Sequence, residues 1–147
     1  MFRRISAVLF AVALAAGIVT YFAVEGHDVV VLRTHPAGTP VRRTRIWIAE
    51  DGGVPWIEAA NPERAFYADL LVDPNVAIER ATGGVEPYRA TPLPDAAAHR
   101  KIRELLRRKY GWADRWVGML VDTSRSVAIR LDPLPRAGVS ADSSSTR

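Results

Sequence analysis

Apolar and polar positions alternate in short runs along most of this chain, and turn residues fall between the runs. Residues 28–34 are apolar enough for a strand buried along most of its length, and residues 42–48 alternate into a second strand. Between them, His35 to Pro40 holds two prolines and a glycine, which forbid regular structure. The second strand runs on to Asp51-Gly-Gly53 and Val54 resumes at once, so a hairpin turned on the Asp-Gly pair is expected. Asn61, Pro62 and Glu63 then read as N-cap, first-turn proline and first-turn carboxylate of a short helix. Phe66 and Leu70, with Tyr67 and Leu71 beside them, give that helix an apolar stripe, and Asp73-Pro74 stops it. Residues 75–79 and 85–90 form the next two strands across a turn at Gly83-Gly84, with Pro87 expected at an edge or a bulge.

The period then changes. Asp95 caps a helix over residues 96–109 whose buried stripe is Ala98, Ile102, Leu105 and Leu106, with Arg100, Arg103, Glu104, Arg107 and Arg108 solvated. Its cations gather at the carboxy end, and Gly111 closes it. A shorter helix over residues 113–121 carries Trp116 and Leu120 on one side, and residues 126–131 alternate as a final strand stopped by Pro133. A hairpin, a small helix and a return to the sheet predict an α+β fold. Its centre is a compact antiparallel barrel of about six strands with peripheral helices, not a βαβ unit.

Ahead of the barrel, residues 5–24 contain no charge. At roughly 1.5 Å per residue that run spans a hydrocarbon core of about 30 Å, so one transmembrane helix is expected. Arg3 and Arg4 precede the run while Glu25 and Asp28 follow it. The positive-inside rule then puts the amino terminus in the cytoplasm and the domain on the outer face of a single-pass protein. A cleaved signal peptide with Ala13-Leu-Ala15 as its small-x-small site is the rival reading. Cleavage there would leave an apolar, exposed new terminus. The expected organisation is an anchor over residues 1–27, a barrel over 28–134 and a disordered polar tail over 135–147.

Composition removes several classes of function. The chain has no cysteine, so neither a disulfide framework nor a thiolate metal site is available. His27, His35 and His99 show no ligand spacing, and no metal site is expected. The net charge of +4 is modest and spread over the ends and one helix, so nucleic acid is not an expected partner. Neither a nucleophile elbow nor a glycine-rich phosphate loop occurs.

Ala65-Phe-Tyr-Ala-Asp-Leu70 followed by Asp73-Pro-Asn-Val76 resembles a segment of the split β-barrel flavin and deazaflavin reductases. That superfamily includes pyridoxamine-phosphate-oxidase-like proteins and deazaflavin-dependent nitroreductases. The resemblance covers about residues 29–133 and rests on the order of the pieces. It implies FMN or a deazaflavin of the factor-420 type as cofactor, and a homodimer with the cofactor between subunits. The implied substrate is a small acceptor such as a quinone or a nitro compound, and an anchor through residues 5–24 would favour a lipid-soluble one.

The resemblance also assigns residues. Arg42, Arg43 and Thr44, followed by Arg45, stand where the family holds the cofactor's phosphate, a task suited to guanidiniums. Alternate arginines facing water on an edge strand would look the same. His35-Pro-Ala-Gly-Thr39 replaces the family's Gly-Arg-Lys-Ser-Gly loop, and Arg33 would compensate. Ala59, Ala60 and Asn61 match the small stretch beneath the ring, where backbone N–H groups tune its electronics, and Asn61 can also cap its helix. Arg125 would contact the cofactor from the last turn, or pair with Asp114 or Asp122. Tyr67 and Tyr110 are candidate proton donors to a reduced substrate, with Tyr88 behind them; as core tyrosines they would be silent. The alternative to a reductase is a non-enzymatic split-barrel binding or interaction module at the cell envelope.

Overall fold

Side chains that alternate along six strands sort into two cores, one inside a closed barrel and one on its outer wall. The computed structural model describes residues 2–25, 28–36 and 38–135. Helix α1 (Phe2–Glu25) leads into β1 (Val29–Thr34), β2 (Arg42–Asp51) and β3 (Val54–Ala59). Helix α2 (Ala65–Val72) follows, then β4 (Asn75–Glu79) and β5 (Val85–Leu93). Helices α3 (Ala96–Tyr110) and α4 (Trp112–Leu120) precede β6 (Val127–Pro133). Every pairing is antiparallel and the ring closes in the order β1-β2-β3-β6-β5-β4.

Leu32, Ile48, Ile57, Ile78, Ile129 and Leu131 point inward and are fully buried. Phe66, Tyr67 and Leu70 of α2 join them, so this short helix plugs one end of the barrel. Asp69 fixes the plug, accepting from Thr34 at the end of β1 (2.6 Å) and from Arg42 at the start of β2 (2.8 Å). On the outer wall, Ala49, Trp56 and Ala128 receive Ile102, Leu105, Leu106 and Tyr110 of α3. The expected stripe of α3 is therefore its buried face, and the Asp95 carboxylate caps the helix by accepting from the Ala97 and Ala98 amides at 2.9 Å.

Several expectations are corrected. The hairpin turns on Gly52-Gly53, both at positive φ (58° and 82°), while Asp51 still pairs with Val54. Two positive φ values suit the primed turn that follows strand twist, and glycine adopts them without strain. Helix α2 starts three residues later than its proline suggested: Arg64 is the N-cap and makes no side-chain capping bond, so Asn61 does not cap. In a closed barrel Pro87 lies on no edge. Its carbonyl accepts from the Leu134 amide toward β6, past the last β5–β6 pair at Tyr88 and Pro133. The amide that proline lacks would point to the same place, where no ladder needs it.

In α4, Leu120 is exposed and Trp116 is the residue that packs, its indole N–H reaching Thr20 Oγ1 of α1 at 3.0 Å. Trp112 is likewise exposed. The described side chains of α1 run unbroken only from Phe10 to Tyr21. Among the described residues no helix is long and apolar enough to cross a membrane. From residue 136 onward the tail expected to be disordered over 135–147 lies outside the described residues, as does His27.

Candidate functional site

The β2–β3 ladder stops at the pair Ile48–Ile57. Beyond it β2 pairs with β1 along residues 42–47, and Glu58 and Ala59 of β3 pair with β6. At this split the outer wall opens into a cavity of about 240 Å³, bounded on the far side by α3 and α4. Ile46, Trp47, Phe66, Val117 and Val121 give it apolar walls. Thr44, Arg45 and Arg64 line it from the start of β2 and the entry to α2, and Ala60 lines it without bulk.

The charged wall is built from three elements. Arg103 of α3 donates through Nη1 to Glu58 Oε2 of β3 (2.8 Å) and through Nη2 to Asp114 Oδ1 of α4 (2.6 Å). The side chains of Glu58 and Asp114 are only 10% and 6% exposed. Burial acts against the Arg103 charge, but Glu58 and Asp114 more than offset it and hold its pKa above the ordinary value. Two carboxylates share one guanidinium, so the wall carries one negative charge more than its cation balances. Glu58 Oε1 is also buried and has no hydrogen-bond partner.

Of the residues expected to hold a cofactor, Thr44, Arg45 and Ala60 line the cavity. The arginines that adjoin in sequence are divided by the pleat, which sends neighbours to opposite faces. Arg42 turns to the barrel mouth and Asp69, whereas Arg43 turns outward, where it and Arg33 share Glu79 (2.9 and 2.6 Å). That pair holds the Glu79 carboxyl below its ordinary range, the Arg33 hydrogen bond contributing most. Ala59 is buried inside the barrel. The Asn61 carbonyl accepts from the Arg64 amide at 3.3 Å. Arg125 pairs with Glu63 at 2.6 Å, in place of Asp114 or Asp122.

The two tyrosines are also placed. Tyr67 is packed in the barrel core. Tyr110 stacks on Trp47 with ring centroids 4.5 Å apart. Its hydroxyl accepts from the Ile48 amide (3.1 Å) and lies 2.9 Å from the Ile48 and Asp28 carbonyls, one of which takes its proton. Burial pushes its pKa up to about 12. Tyr88 donates to Glu86 at 2.9 Å.

The sequence alone does not mark Arg64, Arg103 or Asp114 as site residues, and helical spacing puts Arg103 on the solvated face of its helix. One signal was present: Glu58 is a single charge inside the otherwise apolar run Val54–Ala59, and a buried charge requires a partner. Among the described residues no group of three metal-ligating side chains occurs.

No family model matches this chain, and neither does any curated protein. Solved structures do. A conserved hypothetical protein from Mycobacterium tuberculosis superposes with a TM-score of 0.60 at 16% identity, over 82% of this chain and 80% of that one. A FAD-binding protein from Mesorhizobium loti gives 0.55 at 17% identity, over 84% and 90%. An F420 reductase gives 0.51 at 20% identity, over 78% and 93%. The chain has the split-barrel fold of the pyridoxamine-phosphate-oxidase-like proteins.

Proposed function

We propose that this protein is a membrane-anchored reductase that uses FMN or a deazaflavin of the factor-420 type to reduce a small acceptor, such as a quinone or a nitro compound. The observation that carries the reading is the cavity at the β2–β3 split, with apolar walls, cations at its β2–α2 side and a buried carboxylate lacking a donor. These features fit a flat heterocycle bearing a phosphate. Arg45, Arg64 and Thr44 would hold the phosphate, Trp47 and Val117 would flank the ring, and Ala60 would let it approach the backbone. The bound cofactor would supply the hydride. This chain's part is to bind, orient and keep water from the ring. The FAD-binding and F420-reductase neighbours support this cofactor class through their names, at the level of a shared fold.

Attachment to a membrane rests on the uncharged run of residues 5–24. The cations before that run favour a domain on the outer face. A homodimer whose second copy covers the open side of the cavity completes the proposal, and light scattering of the detergent-solubilised chain checks it.

One observation favours a binding module without catalysis. Tyr110 is committed to backbone groups and Tyr67 to the core, so neither candidate proton donor lines the cavity. The deciding experiment titrates the full-length chain in detergent separately with FMN and with the deazaflavin, following tryptophan quenching and cofactor fluorescence. Saturable micromolar binding of either supports the reductase and justifies assays with quinones and nitro compounds. Binding of neither moves the function to an envelope interaction module.

A further inference from the structure

We infer that Glu58 is a ring-reading residue: its unpartnered Oε1 accepts a hydrogen bond from an N–H on the edge of the heterocycle seated in the cavity. The inference rests on the cofactor reading above and names what that reading leaves open, the group that recognises the ring itself. Glu58 stands on β3 beside the split, 10% exposed, and lines the cavity. Arg103 fixes Oε2 at 2.8 Å, while Oε1 is buried without any partner. A carboxylate has acceptor sites on both oxygens, and a buried one left unmet is costly, so a ligand that brings a donor gains what the protein alone does not satisfy.

The charge count points the same way. Glu58 and Asp114 share the single guanidinium of Arg103, so this wall favours a hydrogen-bond donor and disfavours an approaching anion. The cations Arg45 and Arg64, which line the same cavity from β2 and the entry to α2, would take the anionic part. The terminal torsion of a glutamate is soft, so the carboxylate can reorient Oε1 toward a donor seated in the cavity. Flavins and deazaflavins both carry an imide N–H between two carbonyls. A ring edge of that kind offers the donor Glu58 lacks, and its carbonyls can accept from further N–H groups of Arg103.

The test uses the full-length chain in detergent with three probes: FMN, lumiflavin, which has the ring but no phosphate, and N3-methyl-lumiflavin, in which the donor is blocked. Fluorescence titration should show lumiflavin binding about tenfold or more tighter than its N3-methyl form, the range expected for one charge-assisted hydrogen bond. Glu58→Gln keeps the side chain's volume, and it should narrow that ratio to about threefold or less. Equal wild-type affinities for the two lumiflavins, with FMN still saturable, overturn the role of Glu58 and leave the flavin reading standing. A ratio unchanged by Glu58→Gln also overturns it, because the methyl group is then excluded by shape alone. Failure of FMN, deazaflavin and lumiflavin all to bind removes both readings. The comparison of the two lumiflavins needs no variant, so equal affinities overturn the role of Glu58 even if Glu58→Gln fails to fold.

Discussion

Replacing Arg103 with methionine removes the cation that holds β3, α3 and α4 together at the cavity while keeping an unbranched apolar stem. Glu58 and Asp114, 10% and 6% exposed, would then be buried without a counter-charge. Removing one partner of a buried ion pair costs about 3–5 kcal/mol. Arg103 is itself 23% exposed, so water reaches the site and the lower end applies, about 3 kcal/mol. For a domain near 100 residues, at about 4 °C per kcal/mol, the melting temperature should fall by roughly 12 °C. Urea unfolding followed by tryptophan fluorescence, together with thermal circular dichroism, measures both numbers. Coupling gives a sharper signature. Glu58→Gln should destabilise the wild type, yet it should restore part of the loss in the Arg103→Met background, because it removes a stranded charge. A loss below about 1 kcal/mol, the worth of an exposed surface pair, would refute the reasoning. So would strict additivity of the two substitutions. Either result would mean that water already satisfies both carboxylates and that the wall is not electrostatically closed.

Three further outcomes are expected. Tyr110→Phe leaves the buried Ile48 amide without its acceptor and should cost about 1–3 kcal/mol near pH 8, read by urea titration. Because burial raises the Tyr110 pKa to about 12 from an ordinary value near 10, its contribution is complete below pH 10 and is lost as pH rises toward 12. Over that window wild-type stability should fall by up to about 1.4 kcal/mol per pH unit more steeply than that of Tyr110→Phe, and parallel profiles would refute the assignment. Asp95→Ala removes an N-cap that accepts from two amides and should cost about 1 kcal/mol by the same unfolding assay. In the FMN titration, Arg64→Ala should weaken binding by about 1.5–3 kcal/mol. Arg43→Ala, whose guanidinium is taken by Glu79, should leave the titration unchanged. The reverse order would move the phosphate site to the β1–β2 face.

Most of the elements are legible from local pattern, because their causes are local. Period-two alternation marks the strands, the Asp95 carboxylate and Gly111 bound α3, and Ala98, Ile102, Leu105 and Leu106 fall on one face by helical spacing. A barrel with peripheral helices follows from their order, and the structure has it. The site was legible only in part. Thr44, Arg45 and Ala60 reach the cavity, but Arg42 and Arg43, neighbours in sequence, leave on opposite faces of β2 to meet carboxylates 27 and 36 residues away. Arg103 looked solvated because only the outer wall of the barrel decides what its helix covers; there it meets Glu58, 45 residues distant. Tyr110 looked free to donate a proton until the fold brought the Ile48 backbone, 62 residues away, to its hydroxyl. Local pattern fixes which face a side chain leaves from. Which charge or backbone group waits there is a matter of long-range pairing, and only the closed ring of strands decided it.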